Sequence, residues 1–250
     1  MLLDRLQRPR FAFTFIRRFP LEETRRRFGQ FEEAFGAYIT PNATVANLPP
    51  NAPPDAPRFM LQSGKKQLLV SGTVAQLNLD FSDGIPRGYD LRSSLRKIAV
   101  EADKMDTIFG HQEEFYSGVI VTATVPYKDE ELVVLADLYK LIHGAEPSEK
   151  INAITTSVGV LRSRFNVQTS IGQYKMVEAQ GELSLSGPSS IHIDFDFSPS
   201  SEDGLEFKWD VNTKPTLKTP SKRQFTAICE ILSDHIAAED GQAWAGMFKQ

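Results

Sequence analysis

The sequence predicts an α+β fold of two tandem units, each running strand, helix, antiparallel strands and closing helix, with curved sheets packed on helices. Three observations predict it. Segments of period two and period 3.6 follow one another in the same order over residues 10 to 110 and again over 115 to 240. The β-type segments are separated by short Gly, Pro and Ser punctuation, as meanders require. Each span ends on an apolar stripe at helical spacing. The expected division is a first unit over 1–110, with a Pro-rich loop at 40–57, and a second over 111–250 with the C-terminal helix.

The elements follow in order. From Arg10 to Phe19, Phe11, Phe13 and Phe15 alternate with Ala12, Thr14 and Ile16, so both faces are apolar or small. That pattern predicts an interior strand covered by helices on at least one side. Pro20 suits a first helical turn, and Phe28, Phe31, Phe35 and Tyr38 continue a helical stripe. Pro41, Pro49, Pro50, Pro53, Pro54 and Pro57 remove amide donors, so 40–57 is expected to hold no regular structure. Ser63-Gly64-Lys65-Lys66 predicts a hairpin turn between two short strands, and Ala75, Leu77, Leu79 and Phe81 alternate along a third. Leu91, Leu95, Ile98, Ala102, Met105 and Phe109 mark a helix stopped by Gly110.

The second unit opens with Val119 to Val125, followed by a helix at about 129 to 143 with Leu132, Leu135, Tyr139 and Ile142 on its inner face. Strands are expected near 153 to 168, 173 to 186, 190 to 197 and 205 to 211, with Gly172, Gly187-Pro188 and residues 198 to 204 as turns. Thr219 and Pro220 are read as the start of the last long helix, lined by Phe225, Ile228, Leu232 and Ile236, with Trp244 and Phe248 on a short final helix.

Composition narrows the function classes. The chain has 250 residues, a formal charge of −4 and one cysteine, Cys229. A single cysteine excludes an internal disulfide framework and a cysteine zinc site, and it fits a reducing, cytoplasmic location. No apolar run reaches the roughly 18 residues of a membrane span, and no secretion signal is read at the N-terminus. The charge is unevenly spread. Residues 1 to 30 hold eight arginines against Asp4, Glu22 and Glu23, a net of +5 that leaves −9 for the remainder.

Two passes through strand, helix, strands and helix resemble, in topology alone, the tandem TATA-binding-protein-like and gyrase-inhibitor-like folds. The hairpin and strand over Arg58 to Phe81, and Ile193-Asp194-Phe195-Asp196-Phe197 ahead of a terminal helix, resemble a sporadically distributed bacterial family of uncharacterised proteins of about this length. That resemblance brings no catalytic residues with it.

Few residues carry chemistry. His192, Asp194 and Asp196 would share one face of a strand about 7 Å apart, and a solvated sheet face explains them better than a metal site or a dispersed active site. Cys229 sits among apolar helix positions as an inert small hydrophobe. Ser63-Gly64-Lys65-Lys66 lacks the strand-to-helix setting of a phosphate loop. No Gly-x-Ser-x-Gly, His-Glu-x-x-His or dinucleotide fingerprint occurs. The most unusual surface is basic: Arg17 and Arg18 close the first strand, and Arg25, Arg26 and Arg27 spread around the next helix.

The expectation is a non-catalytic cytoplasmic module for protein interaction or assembly, with a protein partner or a second copy of itself, no cofactor, no metal and no membrane. One alternative is a ligand- or nucleic-acid-binding module that uses the cleft between units or the arginine patch, nucleic acid being the less favoured. The other is an enzyme with a dispersed site near His192, Asp194 and Asp196.

Overall fold

The computed structural model describes residues 6–20, 24–36, 39, 42–45, 52–81, 91–109, 114–126, 136, 139–140, 155–162, 164–175, 178–185, 191–198, 203–213 and 224–240, with the backbone alone at residues 24–25, 42–43, 45, 114, 156, 174–175, 203 and 239–240 and over residues 178–185 and 191–198. The first span contains β1 (Gln7–Arg17), α1 (Thr24–Phe35), β2 (Asn42–Val45), β3 (Phe59–Ser63), β4 (Lys66–Val70), β5 (Val74–Asp80) and α2 (Leu91–Phe109). The second contains β6 (Glu114–Pro126), β7 (Thr155–Arg162), β8 (Phe165–Lys175), β9 (Glu178–Leu185), β10 (Ile191–Ser198), β11 (Asp203–Thr213) and α3 (Gln224–Asp240).

The class is α+β. Among the described residues, nine strands form one sheet in the order β2-β3-β4-β5-β1-β6-β11-β8-β7, and the neighbouring strands are antiparallel. The two spans meet where β1 pairs with β6, Phe13 opposite Val119. A separate ribbon of β9 and β10 leaves the sheet between Lys175 and Asp203, which are themselves paired across β8 and β11.

Helices cover one face of this sheet because the alternation in the strands is one-sided. Phe11, Phe13 and Phe15 of β1 are buried, as are Ala75, Leu77 and Leu79 of β5 and Leu205, Phe207, Trp209 and Val211 of β11. Ala12, Thr14 and Ile16 lie on the other face and stay half-buried. The aromatic rings lock the layers together: Phe13 meets Phe225 of α3 edge-on at 5.7 Å, Phe15 meets Phe109 of α2 at 5.8 Å, and Phe28 of α1 stacks on Phe59 of β3 at 5.0 Å. Removing such a ring costs about 3–5 kcal/mol, transfer and cavity together. The stripe from Leu91 to Phe109 and the α3 residues Phe225, Ile228, Leu232 and Ile236 are buried.

The other face is polar. Arg10 of β1 reaches across β6 to Glu206 of β11 at 2.5 Å, and side-chain amides bond along it, Gln76 to Asn78 at 3.0 Å and Asn166 to Asn212 at 3.2 Å.

Several expectations change. Residues 42–45 form a strand, because Asn42 to Val45 contains no proline between Pro41 and Pro49 and can complete a ladder with β3. The proline segment is also pinned: the Gly72 N–H donates to the Pro54 carbonyl at 2.8 Å, where a Cβ on Gly72 would stand 2.9 Å from that oxygen. The strand expected over 153 to 168 is two strands, β7 and β8, which pair antiparallel from Arg162 opposite Phe165. Gly172 is no turn; it lies inside β8, opposite Thr155 and Glu206, because the chain had already reversed. The first strand starts earlier than expected, at Gln7, and ends at Arg17. Of the helix expected over 129–143, only Ala136, Tyr139 and Lys140 are described and helical. The helix start at 219–220 and the final helix at 244–248 lie outside the described residues.

Candidate functional site

The arginine cluster divides once the fold is drawn. Arg17 ends β1 with its guanidinium 5.8 Å from the centre of the Phe109 ring, a cation–π distance. Arg18 and Arg26 are exposed. The Arg25 side chain lies outside the described residues. Arg27 is half-buried and donates to the Ile108 carbonyl in the last turn of α2. Lys104 of α2 answers with Nζ 3.2 Å from the Ala34 carbonyl in the last turn of α1 and 2.6 Å from Glu101. The two helices thus cap each other's C-terminal turns with cations, where orphan carbonyls and the dipole favour positive charge.

A cleft of about 600 Å³ opens beside this pair, lined by Arg26, Arg27, Gln30, Glu33, Thr107 and Ile108. Its charge is mixed. The two guanidiniums share it with the Glu33 carboxylate and with the negative end of α2, so the field is far weaker than five arginines in sequence imply.

His192, Asp194 and Asp196 lie on β10, in register with Ser184, Glu182 and Gln180 of β9. Their side chains lie outside the described residues. Among the described residues, no group of three His, Cys, Asp or Glu could hold a metal ion. Cys229 is buried in α3, and burial, with Asp103 and Glu230 adding to it, pushes its thiol far up. Such a thiol supplies almost no thiolate for nucleophilic work. Burial and, after it, the Asp210 carboxylate push the Tyr116 phenol up to about 12, so it stays protonated at neutral pH.

On the polar sheet face, Arg10 of β1 and Lys208 of β11 stand among the carboxylates of Asp80, Glu206 and Asp210, so cations and anions are interspersed there.

The feature that sequence reading missed is β7. It is the last strand of the sheet, and every β7 residue whose side chain is described is exposed. Val158 is 59% exposed, Val160 42% and Leu161 60%. Thr155 to Leu161 contains no charge and no proline, the two sequence devices that most often blunt an edge, and the first charge is Arg162. That uncharged run was the available signal, hidden because the segment reads as the first half of one longer strand.

No family model, curated protein or solved structure matches the chain. Among the described residues, no helix is long and apolar enough to cross a membrane.

Proposed function

We propose that the protein is a non-catalytic cytoplasmic assembly module, two fused copies of one βα(β)nα unit over 1–110 and 111–250, that takes up a partner strand along β7. The strand order supports the duplication. Outward from the central β1 and β6 come β5 and β11, then β4 and β8, then β3 and β7. Ser63 pairs with Lys66, and Arg162 with Phe165, across equivalent two-residue turns, so Phe59 and Leu61 correspond to Val158 and Val160.

One observation carries the functional reading. In the first half β3 is flanked by β2 and roofed by α1, and Phe59 and Leu61 are 2% and 0% exposed. In the second half, among the described residues, no strand lies beyond β7, and its matching valines are open. An added strand would satisfy the edge amides and carbonyls and cover those valines, the physics of β-augmentation.

The test is paired capture from native cells with the full chain and with Gly159→Pro. Proline removes one outward donor and leaves β7's bonds to β8 in place, so a stoichiometric partner should be held by the wild type and lost by the variant at unchanged melting temperature. Equal capture by both would sink the reading.

The cleft beside Arg26 and Arg27 favours a second reading, a small polar ligand held between α1 and α2. Calorimetric titration with inorganic phosphate, with Arg26→Gln as control, checks it: heat that is independent of Arg26 counts against that site.

A further inference from the structure

We propose that the strand that completes β7 comes from a second copy of this chain, paired antiparallel about a two-fold axis through Gly159. The inference rests on the reading of β7 as a docking strand and adds the partner and the register.

Geometry narrows the register. A two-residue connection closes on a hydrogen-bonded pair, here Arg162 and Phe165, and bonding alternates along an antiparallel ladder. Arg162, Val160 and Val158 therefore spend their backbone groups on β8. Leu161, Gly159 and Ser157 direct theirs to the open edge. Two copies joined through those outward groups about the proposed axis meet with Gly159 opposite Gly159, Ser157 opposite Leu161 and Val158 opposite Val160. Nothing lies within 4 Å of the position a Gly159 Cβ would take, so a cysteine side chain fits there without displacing a neighbour.

Packing and charge agree with that register. Val158 and Val160 stand opposite Thr169 and Val167 of β8, residues buried on the helix-covered face. A two-fold perpendicular to the sheet keeps both helix layers on one side, so four valines from two copies would form a continuous apolar floor between them. The only charge on β7 is Arg162, and the register sets it opposite Thr156, with its symmetry mate roughly 20 Å away. That exceeds the screening length of about 8 Å at physiological ionic strength. No acidic or basic pattern on the strand would select a charged foreign segment instead. The first half of the protein already shows the same arrangement internally, since β2 lies antiparallel against the matching strand β3.

The experiment uses single cysteine variants of the full chain, with buried Cys229 as the unreactive internal thiol. At a hydrogen-bonded antiparallel pair the Cα atoms are about 5.5 Å apart, inside the usual disulfide range of about 4.4–6.8 Å. Gly159→Cys should oxidise to a disulfide-linked dimer. Thr155→Cys should not, because its two copies would sit roughly 26 Å apart. Sedimentation of the wild type should show a monomer–dimer equilibrium that Gly159→Pro and the pair Val158→Lys, Val160→Lys shift to monomer at unchanged melting temperature.

A wild type that stays monomeric at its highest soluble concentration overturns the self-pairing. So does a dimer in which Thr155→Cys cross-links as well as Gly159→Cys. If the chain is monomeric yet Gly159→Pro still abolishes capture of another protein, strand uptake stands and only the second-copy partner fails. If it dimerises and the proline variant dimerises equally well, both fail.

Discussion

The Asp103 carboxylate of α2 accepts the Phe225 backbone N–H of α3 at 2.9 Å, across 122 residues of chain. Its other oxygen takes the Thr226 hydroxyl, and the Thr226 N–H lies 3.4 Å from the first. The first turn of a helix leaves amides without intrahelical partners and carries partial positive charge, so a carboxylate there does the work of an N-cap. Here the cap comes from a neighbouring helix, and it fixes α2 against α3 in register. Asp103→Ala should cost about 1–2 kcal/mol in urea unfolding, the usual loss on deleting a cap. Asp103→Asn, which keeps an acceptor and loses the charge, should cost about 0.3–1 kcal/mol. Equal stability of wild type and Asp103→Ala would remove the cap from the account of α3.

Neighbouring arginines in the cluster should behave differently. Arg27 caps the Ile108 carbonyl from a half-buried position, whereas Arg26 is exposed at the cleft. Arg27→Gln should destabilise by about 1 kcal/mol, as expected for a charged hydrogen bond at a helix end. Arg26→Gln should stay within about 0.5 kcal/mol, the range of surface substitutions. Melting curves of the two single variants check this, and matching shifts would count against the division of roles.

Sequence legibility followed how local each cause was. β1 and β6 could be read because Phe11, Phe13 and Phe15, and Val119 to Val125, carry their own alternation, and α2 because its stripe repeats over 19 residues. The reversal between Arg162 and Phe165 could not: the sequence there holds neither glycine nor proline, while Gly172 offered a false turn nearby. Arg25, Arg26 and Arg27 looked alike because what distinguishes Arg27 is a carbonyl 81 residues later in α2. The openness of β7 is a property of sheet order, and no local pattern records which strand comes last.

The buried thiol gives a third expectation. Because burial, Asp103 and Glu230 all disfavour the Cys229 thiolate, the native protein should resist a soluble disulfide reagent at pH 8 and react with one equivalent on unfolding. The native rate should then report opening of α3. Asp103→Ala, which loosens that helix start, should accelerate it. Fast modification of the folded wild type would mean that α3 does not seal the residue.

Tyr116 offers a test with a defined sign. Its phenol moves from the ordinary tyrosine value of about 10 to about 12, chiefly because burial disfavours phenolate and then because Asp210 repels it. A group whose acid form is favoured in the folded state contributes stability that is complete below about pH 10. That contribution is lost as pH rises toward the folded midpoint near 12. The phenolate absorbance of wild type minus Tyr116→Phe should therefore titrate above the other tyrosines. Asp210→Asn should lower the midpoint without returning it to the ordinary value, since burial remains. If Tyr116 ionises together with exposed tyrosines in a chain that is still folded by circular dichroism, the packing around Tyr116 and Asp210 on the polar face is wrong.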